Sequence, residues 1–178
     1  VNIAKDLLTN AGIYQISITN PAPEGGISNP TNLQIINPIP QLSVLDPLEA
    51  MAGTPGLTLT IYGTGFFDDT TVYVNGTARP FTLISQTKIQ TGLTSEDLEY
   101  GRYLDIKASN PSPGGGTSNT ATFTVLNPIP SLTSITPASI TAESPDFILT
   151  LTGDNFVKTS LMSFNNLPYP ANYISKTQ

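Results

Sequence analysis

Apolar and polar positions alternate along the chain in short runs that turn-forming residues cut off. Leu57-Thr58-Leu59-Thr60-Ile61-Tyr62 sets Leu, Leu and Ile against Thr, Thr and Tyr, a period of two that buries one face of a strand. Runs at 41–45, 71–74, 81–84, 88–91, 102–109 and 121–125 have the same character. Gly63 and Gly65 permit a tight bend before Phe66. Asn75-Gly76 is a strong hairpin signal, because both residues tolerate positive φ. About seven strands in a unit of this size predict a Greek-key sandwich. Its inner face would take Leu59, Ile61, Phe66, Val72, Val74, Ile106, Phe123 and Val125.

The pattern repeats. Asn20-Pro21-Ala22-Pro23-Glu24-Gly25-Gly26-Ile27-Ser28-Asn29 returns as Asn110-Pro111-Ser112-Pro113-Gly114-Gly115-Gly116-Thr117-Ser118-Asn119, an offset of 90. In the same register Asn37-Pro38-Ile39-Pro40 returns as Asn127-Pro128-Ile129-Pro130, and Gly63 and Phe66 as Gly153 and Phe156. Residues 1–38 then hold the last strands of one unit, 39–128 a complete unit, and 129–178 the first strands of another. Tyr14 and Tyr103 each follow a glycine just before a strand, a pattern that suits a tyrosine corner or a core tyrosine after a turn.

Composition narrows the class. With 16 Pro and 14 Gly in 178 residues, long helices are excluded and the fold is expected to be all-β. Cys, His and Trp are absent, so no disulfide framework, imidazole or thiolate metal site, or Ser-His-Asp system can be built. A net charge of −6 argues against nucleic acid and anionic membranes as partners. No stretch reaches the roughly 18 apolar residues of a membrane span. The chain starts at Val1 with no basic-then-apolar leader, as expected of a processed or truncated protein.

The Asn-Pro-x-Pro-x-Gly-Gly-x-Ser-Asn segment, Phe123-Thr124-Val125, the Asn-Pro-Ile-Pro junction, Leu59-Thr60 with Gly63 and Phe66, and Val74-Asn75-Gly76 together resemble the IPT/TIG family. The resemblance covers the whole chain and implies tandem immunoglobulin-like sandwiches arranged as a rod. It brings no catalytic residue and no cofactor. The third unit departs from the pattern at Asp154-Asn155 and Asn166, where Asn replaces a turn glycine that it can imitate. Low charge, abundant Thr, Asn and Ser, and the lack of Cys make the chain look most like the secreted or cell-surface bacterial branch.

Candidate chemistry is thin. Asp68-Asp69 and the cluster Glu96, Asp97, Glu99 could supply calcium ligands or glycosidase carboxylates, or be solvated turn residues. Lys158-Thr159 stands where the next repeat would need Asp68-Asp69, so those acids are not a property of the unit. Gly114-Gly115-Gly116 lacks the Gly-Lys-Ser/Thr of a phosphate loop and reads as a hairpin. Asn75-Gly76-Thr77 is formally a glycosylation acceptor. Tyr62, Tyr73 and Tyr169 could stack on polysaccharide or cover sheet faces.

Structural weight falls on the junctions. Asn37, Pro38 and Pro40, and again Asn127, Pro128 and Pro130, join strand to strand with no Gly/Ser linker, so the path should be extended and stiff. The two partial units add up to about one unit, and neither alone could cover its apolar face. Two arrangements would complete them: continuation in a longer array, or the N-terminal strands of a neighbouring copy added head to tail. The expected function is a non-catalytic structural or adhesive extracellular repeat protein whose partners are copies of itself or adjacent repeats. The alternative is a carbohydrate-binding or spacer module of a secreted enzyme.

Overall fold

A computed structural model describes residues 1–178. Residues 1–38 contain a 3-10 turn, Lys5–Leu8, and strands β1 (Gly12–Ile16), β2 (Thr19–Asn20), β3 (Gly26–Ile27) and β4 (Thr31–Ile35). The middle of the chain holds β5 (Gln41–Asp46), β6 (Glu49–Met51), β7 (Gly56–Thr64), β8 (Thr71–Val74), β9 (Thr77–Arg79), β10 (Phe81–Ser85), β11 (Lys88–Thr94), β12 (Arg102–Asn110), β13 (Gly116–Thr117) and β14 (Ala121–Leu126). After it come β15 (Ser131–Thr136), β16 (Thr150–Asp154), β17 (Met162–Phe164) and β18 (Leu167–Tyr169).

The middle strands form two sheets, ordered β10-β11-β7-β5 and β6-β14-β12-β8-β9, with β13 added to β12. Alternation decides which side chains enter the core. Along β12, Leu104, Ile106 and Ala108 are buried and Tyr103 and Asp105 are not. All eight residues assigned to the inner face from the sequence are buried, and Leu42, Leu45, Ile89, Leu93 and Leu98 join them. Burying each large side chain contributes about 1.5 to 3 kcal/mol.

The bend expected before Phe66 falls at Gly65, at φ 77°, and β7 continues through Gly63 to Thr64. Glycine is required there by close approach. A Cβ on Gly63 would lie 2.0 Å from Gln41 O and 2.7 Å from Phe66 Cζ. The missing side chain thus lets β5 and the Phe66 ring meet over the same backbone. The Asn75-Gly76 turn forms as expected, with φ of 49° and 79°, and Asn75 Oδ1 accepts a hydrogen bond from Asp105 N at 2.8 Å.

The chain groups into two compact units. The first comprises Val1–Asp46, Leu59–Gly92 and Asp105–Ala121. Within it β5 pairs with β7, β8 with β9 and β12, and β1 with β4, all antiparallel. The second comprises Pro47–Thr58, Leu93–Leu104 and Thr122–Gln178. Here β6 lies parallel to β14, and β15 with β16 and β17 with β18 are antiparallel pairs.

Both ends of the chain carry pairings that reproduce those of the middle at the 90-residue offset. Leu132↔Gly153 and Ile135↔Leu151 repeat Leu42↔Gly63 and Leu45↔Ile61, with the register shift at the same place. Met162↔Tyr169 repeats Val72↔Arg79, and Thr19↔Ile27 repeats Ser109↔Thr117. Asn155 and Asn166, both at φ 63°, take the left-handed positions of Gly65 and Gly76. Asn pays little for that conformation, so the turn survives the exchange.

Candidate functional site

The Asn-Pro-Ile-Pro junction is gripped by the hairpin between β12 and β13. Asn37 N donates to Pro113 O at 2.8 Å, and Asn37 O accepts from Gly115 N at 2.7 Å. The Asn37 side chain donates through Nδ2 to Pro111 O at 2.9 Å. One residue on, Pro38 O accepts from Asn110 Nδ2 at 2.9 Å, and the same amide reaches Gly65 O at 2.7 Å. Asn110 Oδ1 accepts from Thr70 Oγ1 at 2.7 Å, so this buried side chain has every group engaged. Pro40 is fully buried. Asn119 then holds both the N–H and the carbonyl of Leu42, at 2.8 and 3.0 Å.

Gly114 makes the grip possible. At φ 69° its missing Cβ would stand 2.6 Å from Ile36 Cβ and 2.7 Å from Asn37 O. Asn110 and Asn119 were legible as repeated residues, but their role depends on a hairpin more than 70 residues downstream of the junction they hold.

The second junction, in the second unit, is bonded differently. Asn127 Oδ1 accepts from Gly101 N, and Ile129 O accepts from Asn155 Nδ2 at 3.0 Å. Pro128 is half-buried, whereas Ile129 and Pro130 are exposed. Lys158 Nζ pairs with Glu99 Oε1 at 2.5 Å, and Lys176 Nζ donates to Gly53 O at 3.1 Å. The hydrogen bond that Lys158 donates to Glu99, and then the charge of Glu99, raise the Lys158 pKa above its ordinary value.

Tyr14 Oη donates to Asn10 O, four residues upstream, at 2.9 Å. Tyr103 does not share that geometry. Its ring is exposed on the outward face of β12. The Gly-x-Tyr likeness matches Tyr14 to Tyr103 at an offset of 89, whereas the strands follow an offset of 90, which pairs Tyr14 with the buried Leu104. One residue of slip moves a side chain to the other face.

The acidic candidates fall in two separate turns of the chain. Asp68 and Asp69 are exposed in the turn between β7 and β8. Asp97 is buried, and its carboxylate accepts from Thr94 N at 2.8 Å and Thr94 Oγ1 at 3.0 Å, which makes it the tie of a turn. Arg102 braces the same turn by donating to the carbonyls of Glu96 and Asp97 while lying over the Tyr100 ring. No group of three or more metal-ligating side chains is assembled. The aromatic candidates sit on three different strands. Tyr62 sits on β7 beneath Lys88 Nζ, Tyr73 on the other sheet, and Tyr169 edge-on to Phe164. Tyr73 lines a shallow depression with Asn75, Gly76, Asp105, Lys107 and Thr117.

Both ends of the chain expose apolar side chains. Leu8, Tyr14, Ile16, Ile18 and Leu33 are exposed, although their mates 90 residues on, Leu98, Leu104, Ile106, Ala108 and Phe123, are fully buried. Leu132, Ile135 and Phe164 are exposed likewise, where Leu42, Leu45 and Val74 are core. Each end therefore presents the inner face of a sandwich to solvent.

Residues 40–125 match the family model described as the IPT/TIG domain. No curated protein matches the chain. Among solved structures it is similar to an auxiliary nutrient binding protein from Bacteroides ovatus ATCC 8483, at 16% identity and a TM-score of 0.36, covering 50% of this chain and 21% of that one. No helix is long and apolar enough to cross a membrane.

Proposed function

We propose, since residues 40–125 match the IPT/TIG domain family model, that the chain is a non-catalytic structural or adhesive repeat protein of the bacterial cell surface or exterior. Its immunoglobulin-like modules are 39–128 and a composite of 129–178 with 1–38, arranged as a stiff rod. The composite is completed head to tail, by the N-terminal strands of a second copy. Further repeats on one chain are the other way to cover the same faces. The observation that carries this reading is the exposure of side chains whose repeat mates are core. Each one left in water forgoes about 1.5 to 3 kcal/mol, and several together rival the roughly 5 to 15 kcal/mol of a whole domain. Light scattering with negative-stain microscopy tests it. The 178-residue chain should form linear oligomers that lengthen with concentration. A monodisperse monomer at high concentration with ordered ends would refute it.

The depression around Tyr73 favours one other reading, a carbohydrate-binding or spacer module of a secreted enzyme, since an aromatic ring beside Asn75, Asp105 and Lys107 is a set that sugars use. Reproducible binding to one polysaccharide on a glycan array would put that reading first.

A further inference from the structure

Resting on the head-to-tail reading, we propose that the contact between copies is one defined antiparallel strand pair, residues 16–19 of one chain against 161–164 of the next, in the register Ile16↔Phe164 and Ile18↔Met162. These positions are the repeat mates of Ile106↔Val74 and Ala108↔Val72, which join β12 to β8. In the middle of the chain all four of those side chains are buried. At the ends Ile16 is 46%, Ile18 70% and Phe164 65% exposed.

Two features make these particular edges the meeting place. First, each strand is already paired on its other side as in a whole sandwich. β17 holds β18 as β8 holds β9, and β1 holds only β4 in a two-stranded sheet. The edges left open are those that β8 and β12 use on each other. Second, neither edge is defended. Residues 12–19 (GIYQISIT) and 161–164 (LMSF) contain no charge and no proline, the devices that keep exposed edges from pairing. The covered counterpart β12 does carry Arg102, Asp105 and Lys107. The hairpin that follows residue 18 is also preformed. Ser28 N donates to Ile18 O at 2.8 Å, and Ser118 N to Ala108 O at 2.8 Å in the complete unit. Because each copy carries one edge of each kind, it can donate one and receive on the other, an open heterologous contact.

The register predicts that Ser17 and Ser163 stand opposite each other on the outward face, as Lys107 and Tyr73 do. The chain has no cysteine, so Ser17→Cys with Ser163→Cys in the full chain reports this pairing alone. Directly opposed Cβ atoms lie about 4.5 to 5.5 Å apart, close to disulfide reach. Mild oxidation should give a ladder of reducible multimers, at least about tenfold stronger than with Ser17→Cys and Leu161→Cys, a diagonal pair about 7 Å or more apart. Equal ladders, a ladder only in the diagonal pair, or a monomer with an internal disulfide would overturn the proposal. Unbridged oligomers by light scattering would overturn this register and leave the head-to-tail reading standing. Absence of oligomers would remove both.

Discussion

Gly114→Ala tests the grip on the junction. The substitution puts a methyl 2.6 Å from Ile36 Cβ and 2.7 Å from Asn37 O, and asks Ala to hold φ 69°. The second effect alone costs about 1 to 2 kcal/mol. Gly76→Ala isolates it, because Gly76 has φ 79° and nothing within 4 Å of its Cβ. The first effect displaces Asn37 from three hydrogen bonds, each worth about 0.5 to 1.5 kcal/mol net. Urea denaturation should therefore show Gly114→Ala costing about 1.5 to 4 kcal/mol more than Gly76→Ala if residues 1–38 unfold with the middle of the chain. If they detach first, the excess appears as faster amide exchange. Asn37 and Gly115 should lose protection by roughly tenfold or more while the β7 amides keep theirs. The hairpin itself accepts a side chain, since Glu24 occupies the equivalent position at φ 58°. Equal costs for the two variants, within about 0.5 kcal/mol, with unchanged exchange at Asn37 and Gly115, would refute the assignment.

Asn110→Ala should lower stability by about 2 to 4 kcal/mol by thermal or chemical denaturation, since it takes a partner from Pro38 O, Gly65 O and the buried Thr70 hydroxyl. Glu24→Gly should strengthen head-to-tail association several-fold in sedimentation, because Glu24 puts a Cβ where Gly114 lets a junction approach; unchanged or weaker association would count against the composite module. Lys158 has a raised pKa, so its attraction to Glu99 is fully present below the ordinary lysine value of 10.5 and is lost as pH rises through the raised one. An NMR titration of Lys158 Nζ should show the raised midpoint falling toward that ordinary value in Glu99→Gln, and the difference should shrink in high salt because the pair is exposed.

Much of the sandwich was legible because its rules are local. Alternation along Leu57 to Tyr62 and the Asn75-Gly76 turn depend on neighbours a few residues away, and strands and turn formed there. The strand Glu49–Met51 was not legible, because Glu-Ala-Met has no β-branched residue and its only partner is the parallel β14. Leu98 was missed as core because it lies in a turn. At the candidate site, Asn37, Pro38 and Pro40 stood out as a repeated motif, but what holds them comes from residues 110–119. Asp97 looked like free acid on a loop, and only the fold reveals the Thr94 groups that occupy it. Tyr103 went astray on a single residue of register, a quantity that a Gly-x-Tyr likeness does not contain.

The parallel pairing of β6 with β14 has a mechanical consequence. Thr124 N donates to Leu48 O at 3.1 Å and Ala52 N to Leu126 O at 2.8 Å, so the two strands are tied at both ends of their contact. Tension passing along the backbone draws β6 from its N-terminal side and β14 from its C-terminal side. In a parallel pair those pulls are opposed along one axis, with the hydrogen bonds lying across it. The bonds must then yield together in shear, whereas an antiparallel hairpin pulled at its open end unzips one bond at a time. Stretching should thus meet a single high rupture force at this short edge, however modest the thermal stability of the protein.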